Sequence, residues 1–330
     1  MKARTVFLVG YSTQAERIAA MRRAVPPLRD ATPLSLHRRE DANIIELGCL
    51  ETRQKMVGTF VCSSIYEANN FDHMEITWLK VPRWERYEGL LHGFMGRRGG
   101  KSSGSFAGLN VSYRVGDDSK IVSQNVCDMK LAVGIHDGRI VTMKQVHGDN
   151  VVEVTDRSLK EAGEADGMVT REREIFLGVL TADCVPILFA APEKKLLAAV
   201  HAGWRGTLAG IAEKTVRLFR EKYGVPADKI EVALGPSIGA CCYEVKEDVT
   251  ALLIKERGNL AERSIGRRDG KLFLDLKRLN RDILQQAGVP PQQIYEVGPC
   301  TSCAPDEFFS YRREKRETGR QISFIGWHAL

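Results

Sequence analysis

Nowhere does the sequence string together the roughly 18 apolar residues that a membrane-crossing helix requires, which excludes a helical membrane protein. A secretory leader is missing too: Lys2 and Arg4 precede only the short apolar run from Val6 to Val9, and Arg17, Arg22 and Arg23 follow closely. No internal repeat and no low-complexity tract is found. The eight cysteines are irregularly spaced and form no disulfide framework; they read as free thiols in a reducing cytoplasm. Strong charge of one sign is also lacking. A net charge of +6 over 330 residues suits a protein that handles small anions and gives no support for nucleic-acid binding.

What is present is ordinary for a soluble globular chain: 43% hydrophobic and 27% charged residues, with length enough for one large domain or two modest ones. Residues 1–73 read differently from the rest. Thr5 to Gly10 suggests a strand and Gln14 to Ala24 a helix, ended by Pro26-Pro27. The segment carries no motif to which chemistry attaches, and Met74 opens a stretch that reads like a fresh beginning. The expectation is an N-terminal extension, either a small appendage or an over-extended start, followed by a main domain over 74–330.

Beyond Met74 the pattern predicts strands at 90–95, 140–145, 151–154, 175–180, 186–190, 196–200, 230–234 and 321–325. Helices are expected at about 118–133, 207–223, 247–255 and 276–286. In the second of these, Leu208, Ile211, Ala212, Thr215, Leu218 and Phe219 step along one face at helical spacing. The strands cluster in the middle of the chain rather than alternating with helices, so an α+β layered fold is expected in place of a doubly wound parallel sheet.

Three residues stand at or just beyond predicted strand ends: His147, Cys184 and His201. Imidazole nitrogen and thiolate sulfur are the donors that zinc prefers, and three protein ligands leave a fourth position for water, as in catalytic sites. The three lie far apart in the sequence, and no paired motif announces them. Spacing alone therefore leaves open a buried thiol and two hydrogen-bonded histidines.

The motifs around them are distinctive: Lys144-Gln145-Val146-His147-Gly148, Ala165-Asp166-Gly167, Thr181-Ala182-Asp183-Cys184-Val185-Pro186 and Val200-His201-Ala202-Gly203-Trp204-Arg205-Gly206. Leu234-Gly235-Pro236-Ser237-Ile238-Gly239, Phe309-Ser310-Tyr311-Arg312-Arg313 and Thr318-Gly319-Arg320 follow in order. Together they resemble the family long labelled multicopper polyphenol oxidase or laccase-domain protein. That family is described as zinc-dependent purine nucleoside phosphorylases with adenosine deaminase activity. The resemblance spans about 74–330. It implies Zn²⁺ held by His147, Cys184 and His201, purine nucleosides and phosphate as substrates, and a mixed-sheet α/β sandwich related to cysteine hydrolases.

The neighbouring residues supply further candidates. Arg205, flanked by glycines before a predicted helix, offers a bidentate charge for phosphate or ribose. The run Arg97-Arg98-Gly99-Gly100-Lys101-Ser102 fails as a phosphate-binding P-loop, because Met95 stands where the motif needs glycine. It remains a candidate mobile basic loop over an anionic substrate, with Arg98 and Asn110 as contacts; both fit the family pattern, although Val111 replaces the usual leucine. Asp183 is a candidate catalytic residue, orienting a ligand or taking a proton, and Asp166 has the same two options. Cys300-x-x-Cys303 has no second pair nearby and Cys241-Cys242 read as core thiols, so neither is assigned a function. The charged stretch Arg312 to Arg320 reads as a solvated face.

Rival functions keep the same atoms. Without metal, Cys184 as nucleophile and His201 as base would make a cysteine hydrolase or deamidase. Some family members are described as peptidoglycan-editing factors that hydrolyse a wrongly charged cell-wall precursor. True laccase chemistry conflicts with only seven histidines and no His-x-His pair. A homo-oligomer is left open.

Overall fold

The computed structural model describes residues 76–136, 139–315 and 317–329. The strand expected at Thr5 to Gly10 and the helix at Gln14 to Ala24 lie outside these residues, as do Cys49 and Cys62.

Among the described residues two mixed six-stranded sheets carry the fold. The first runs β1 (Trp78–Leu79), β2 (Leu90–Met95), β15 (Gln321–Trp327), β7 (Ile175–Thr181), β3 (Arg139–Lys144) and β5 (Glu161–Glu164). The second runs β14 (Ile294–Glu296), β10 (Glu231–Leu234), β8 (Val185–Ala191), β9 (Leu196–Ala202), β6 (Gly167–Thr170) and β4 (Val151–Glu153). A small third sheet pairs β11 (Glu244–Val245), β13 (Lys271–Leu274) and β12 (Ile265–Arg268). Strand β15 occupies a central place in the first sheet, antiparallel to β2 on one side and β7 on the other.

Alternation along the strands explains how the sheets stack. Strand side chains point to opposite faces in turn. In β8, Leu188 and Ala190 pack with Leu177 and Val179 of β7 and Ile325 of β15, so this face meets the first sheet. Ile187 and Phe189, one residue out of phase, face a helical layer instead. That layer is made by α2 (Trp204–Ala209), α3 (Ile211–Glu221), α4 (Glu247–Arg257), α5 (Asn259–Ser264) and α6 (Leu276–Gln286). From it Val216, Phe219, Leu279 and Ile283 are buried in the same cluster. On the far side of the first sheet, Phe176 and Phe324 pack with Met129 and Val133 of α1 (Ser119–Val133). The order is helix, sheet, sheet, helices. This is the α+β layered arrangement expected from the sequence, and each fully buried Leu, Ile or Phe in it contributes about 1.5–3 kcal/mol.

The expected strands and three of the four helices lie where the pattern put them, within a residue or two at their ends. The exception is the helix expected over 207–223. It starts earlier and is broken into α2 and α3 by Gly210, whose φ of 85° is left-handed. A periodic apolar face survives such a break, so periodicity could not reveal it. Arg257 fixes the break: its guanidinium donates to the Leu208 carbonyl (2.6 and 3.1 Å) and pairs with Glu213 (3.0 Å). A side chain at Gly210 would meet Glu213 and lie 2.7 Å from Arg257 Nη2.

One topological feature positions the site. β3, β5 and β7 run parallel, so all three leave the first sheet at the same edge. Each is followed by a link that crosses to the second sheet: β3 to β4, β5 to β6 and β7 to β8. The antiparallel pair β8 and β9 brings the end of β9 to the same place.

Substituting Gly210→Ala should destabilise the fold by about 1–3 kcal/mol, because the alanine is held at positive φ against an ion pair. Thermal unfolding would register this as a melting temperature lower by several degrees; an unchanged melting temperature would contradict the role given to the break.

Candidate metal centre

The three crossing links and the end of β9 each deliver one residue to a common point. His147 lies on the β3–β4 link, Asp166 on β5–β6, Cys184 on β7–β8, and His201 is the next-to-last residue of β9. Pro186 pairs with His201 and Val185 with Ala202, so Cys184 and His201 sit diagonally across the β8–β9 ladder on the same face. His147, Cys184 and His201 bring their donor atoms within 4.8 Å of one another. The two imidazoles meet edge to face, with centroids 4.9 Å apart. Exposure is graded: His201 is buried, Cys184 half-buried and His147 exposed, so the cluster opens to solvent on the His147 side.

The local backbone is bent to achieve this. His147 (φ 61°) and Asp183 (φ 96°) both adopt left-handed conformations that non-glycine residues avoid. Close approach is also needed. A side chain at Gly203 would lie 3.2 Å from both Cys184 Sγ and His147 Cδ2, so glycine leaves the space between the donors clear.

Asp166 holds the arrangement. Its fully buried carboxylate accepts backbone N–H bonds from Val146 (3.2 Å), His147 (3.0 Å) and Gly148 (2.7 Å). It also contacts His201 Nδ1 at 2.8 Å, and its own carbonyl accepts the His201 N–H at 2.7 Å. One carboxylate thus fixes the loop bearing His147 and directs His201 Nε2 away from itself, as carboxylates do behind metal-binding histidines. Burial works to raise the Asp166 pKa, but the His201 contact and the backbone donors outweigh it, and the net shift is downward.

The charges within the cluster reinforce each other. Burial disfavours the Cys184 thiolate, yet His201 and His147 pull its pKa well below the usual thiol range. Burial likewise disfavours a charged His201, yet Cys184 and Asp166 hold its pKa well above the usual imidazole range. The pair therefore favours thiolate and imidazolium, a donor set from which a divalent ion needs to displace only the imidazolium proton at these two residues. Two imidazoles and a thiolate with a solvent-facing side fit a tetrahedral ion with one open position.

The other candidates from the sequence are distributed differently. Asp183 donates nothing to the cluster: one carboxylate oxygen accepts from Thr301 Oγ1 (2.6 Å) and the other from the Arg312 N–H (2.7 Å). Asn110 is fully buried, its side chain bonded to Ser112, Asp117 and the Arg320 N–H (2.8 Å to Asp117, 2.9 Å to Arg320), which makes it a clamp between loops. Arg98 donates to the Asp306 carbonyl at 3.3 Å and lines a recess with Trp78, Phe94 and Phe308. Within the basic run 97–102, Asn125 accepts the Lys101 N–H (2.7 Å) and donates to Ser102 and to the Asn110 carbonyl (2.9 Å each). Arg205 is exposed, stacked over Trp204 at 4.5 Å, at the start of a helix of only six residues.

Three residues that sequence reasoning passed over lie close to Cys184. Tyr243 has its pKa pushed up to about 12, by burial first and then by the Cys184 charge, against the opposing effect of Arg312 and Arg205. Burial lowers the Arg320 pKa while Cys184 pulls it upward. Arg312 reaches across to the Glu244 carbonyl (2.7 Å) and lies over Tyr243. The stretch expected as a solvated face is divided: Arg312, Lys315 and Glu317 are exposed, whereas Arg313 donates to the carbonyls of Thr301 and Phe308 at 2.7 Å each and Thr318 is buried. The motifs Ser310-Tyr311-Arg312-Arg313 and Thr318-Gly319-Arg320 were the available signal.

Comparison with known proteins follows the same residues. The family model described as multi-copper polyphenol oxidoreductase laccase matches residues 91–328. A relative from Geobacillus stearothermophilus named purine nucleoside phosphorylase YlmD is 38% identical over 251 residues, 73% of this chain and 91% of the relative. A protein from an unknown prokaryotic organism named adenosine deaminase RL5 is 34% identical over 230 residues, 67% of this chain and 87% of that protein. The crystal structure of YlmD from Geobacillus stearothermophilus superposes with a TM-score of 0.69 at 36% identity, covering 76% of this chain and 96% of that one.

Replacing Asp166 with Asn should weaken divalent-metal binding about 10- to 100-fold, measured by competition with a chelating dye. Unchanged affinity would remove Asp166 from its orienting role. In weakly buffered solution, metal addition should release protons and affinity should climb with pH, since the His201 imidazolium must give up its proton.

Proposed function

The chain belongs to the multi-copper polyphenol oxidoreductase laccase family, and from that premise we propose that it is a zinc-dependent purine nucleoside phosphorylase with adenosine deaminase activity. The observation that carries this reading is the His147, Cys184 and His201 cluster with its solvent-facing side. The family label speaks of copper, but the donor set argues for zinc. Multicopper centres draw on many histidines, and this sequence has seven, with no His-x-His pair. One thiolate and two imidazoles suit a single borderline-soft ion.

Zinc bound there would lower the pKa of a coordinated water to about 7 and so supply hydroxide at neutral pH. The chain's own residues do the rest. Asp166 keeps His201 in one tautomer and orientation. Asp183, with both oxygens engaged, is a positioning residue that ties the Cys184 link to Thr301 and Arg312. For deamination, water replaces the amino group of adenosine and ammonia leaves, giving inosine. For phosphorolysis, phosphate attacks the anomeric carbon of the ribose and the purine departs, giving free base and ribose 1-phosphate. That reaction needs an anion held beside the sugar, and Arg205, Arg312 and Arg320 gather positive charge around Tyr243 and Cys184. Arg98 and Asn110 serve the architecture of the flanking loops rather than the phosphate. Thiol ligands require reducing surroundings, which fits a cytoplasmic enzyme. Among the described residues no helix is long and apolar enough to cross a membrane. Residues 1–73 stand as an N-terminal extension, a small appendage or an over-extended start.

A second reading has one observation behind it. Asp166, His201 and Cys184 line up as carboxylate, imidazole and thiolate, the arrangement of a metal-free cysteine hydrolase. Zinc content of the wild type against Cys184→Ala separates the two, because only zinc held at this centre is lost with the thiolate.

Purified protein incubated with adenosine should release inosine, and with phosphate also free adenine, both resolved by chromatography. Cys184→Ala should lose bound zinc at this centre and both reactions; full activity in that variant would refute the assignment. Release of an amino acid from a cell-wall nucleotide precursor, without purine products, would point to the editing function instead. Arg205→Ala should raise the KM for phosphate by roughly tenfold or more, the worth of a charged hydrogen bond, while leaving phosphate-free deamination nearly intact.

A further inference from the structure

Four further cysteines converge at a distance from any role in the proposed reaction. β10 and β14 are parallel neighbours, with Leu234 opposite Glu296, so the segments that follow them leave the second sheet at the same edge. The pairing continues as a bridge between Ser237 and Cys300, supported by the Thr301 N–H donating to the Ser237 carbonyl at 3.1 Å. This brings Cys241-Cys242 back against the Cys300-x-x-Cys303 turn. Cys303 Sγ lies 3.5 Å from Cys241 Sγ and 3.4 Å from Cys242 Sγ. All four sulfurs are within 4.8 Å of one another.

Those spacings have a chemical meaning. Zinc–thiolate bonds of about 2.3 Å in a tetrahedron put the sulfurs about 3.8 Å apart. We propose that Cys241, Cys242, Cys300 and Cys303 bind a second zinc ion, in a closed tetrathiolate site with a structural role. Four protein ligands leave no position for water, which separates this site from the three-ligand centre.

The surroundings are those of a thiolate cluster. Cys300 Sγ accepts the Gly239 backbone N–H at 3.2 Å. Backbone N–H groups aimed at sulfur are the outer contacts that steady metal-bound thiolates. Four thiolates around Zn²⁺ carry two net negative charges. Lys277, bonded to the carbonyls of Val297 (3.1 Å) and Gly298 (3.3 Å), lies within electrostatic reach of Cys300, and Arg268 donates to the Cys241 carbonyl at 3.0 Å. Cys241 and Cys303 are exposed, so an ion has access from solvent.

The site would also brace the catalytic centre. Thr301, inside the Cys300–Cys303 turn, donates to Asp183, and Ile238, ahead of Cys241, donates its N–H to the Asp183 carbonyl at 2.9 Å. An ion clamping the two segments would hold the floor beneath Cys184 from both sides. Sequence inspection misses it because Cys242 and Cys303 are 61 positions apart and each pair taken alone is incomplete.

The test uses the full chain purified under reductant as Cys184→Ala, which leaves the four-cysteine cluster as the thiolate site in question. Titration with Co²⁺ should give the intense thiolate-to-cobalt charge transfer and tetrahedral d–d bands of a tetrathiolate centre, and added Zn²⁺ should bleach them at about one equivalent. Adding Cys303→Ser, an exposed position, should abolish the tetrathiolate spectrum; circular dichroism establishes that this variant is folded, and Cys241→Ser serves as the second variant if it is not. Failure of the folded Cys184→Ala protein to bind cobalt or zinc overturns the proposal, whatever the activity of the wild type. So does a spectrum unchanged by loss of the cluster cysteines, or a Cys303 disulfide to Cys241 or Cys242 that persists in the reduced protein.

Discussion

A single buried carboxylate organises the centre. Asp166 sits between two sheets, gathers three backbone N–H groups from the His147 loop, and grips His201 with what remains. Carboxylates deprived of water and of partners are costly, by several kcal/mol; here every contact that offsets that cost also aligns a metal donor. Remove the carboxylate and two donors lose their bearings together, because His147 and His201 are held through the same atoms. The strain at His147, with its left-handed backbone, is tolerable for the same reason: the N–H groups of Val146, His147 and Gly148 all have an acceptor.

The fold supplies the rest by repetition of one manoeuvre. Three parallel strands of the first sheet each end by crossing to the second, and the crossings deposit His147, Asp166 and Cys184 along a common edge. Rigid strands on both sides make the donor positions more exact than a free loop would. Outward from the donors the polarity changes: Arg205, Arg312 and Arg320 place positive charge around Tyr243 and Cys184. The cluster thus lies between an apolar interior that fixes its side chains and a rim of arginines.

Much of this was legible in the sequence, and the rest was hidden for identifiable reasons. Buried strands such as Val185–Ala191 and Leu196–Ala202 are apolar runs, His201 apart, separated by the charged turn Glu193-Lys194-Lys195, so they were readable. The short polar strand Glu161–Glu164 had no such signature and owes its pairing to tertiary context. Gly210 broke a helix whose apolar periodicity continues across it, so only the left-handed turn itself could show the break. Among site residues, the strand-end histidines and cysteine were visible through motif and chemistry. Asp166 and Asp183 were visible as acids but not by role, since which carboxylate faces His201 is decided by the crossing links. Arg312 and Arg320 were masked by a charged neighbourhood that looks like ordinary surface.

The placement of β15 carries a consequence for how this protein is made. Gln321–Trp327 fills a gap between β2 and β7, strands that belong to much earlier parts of the chain. While the ribosome is still short of that segment, the nascent polypeptide holds two open hydrogen-bonding edges and an apolar trough without its filler. Contacts so distant in the chain slow folding and prolong exposure of sticky surface. Truncation ahead of Gln321 would therefore pull out a central plank and leave an intermediate prone to aggregation.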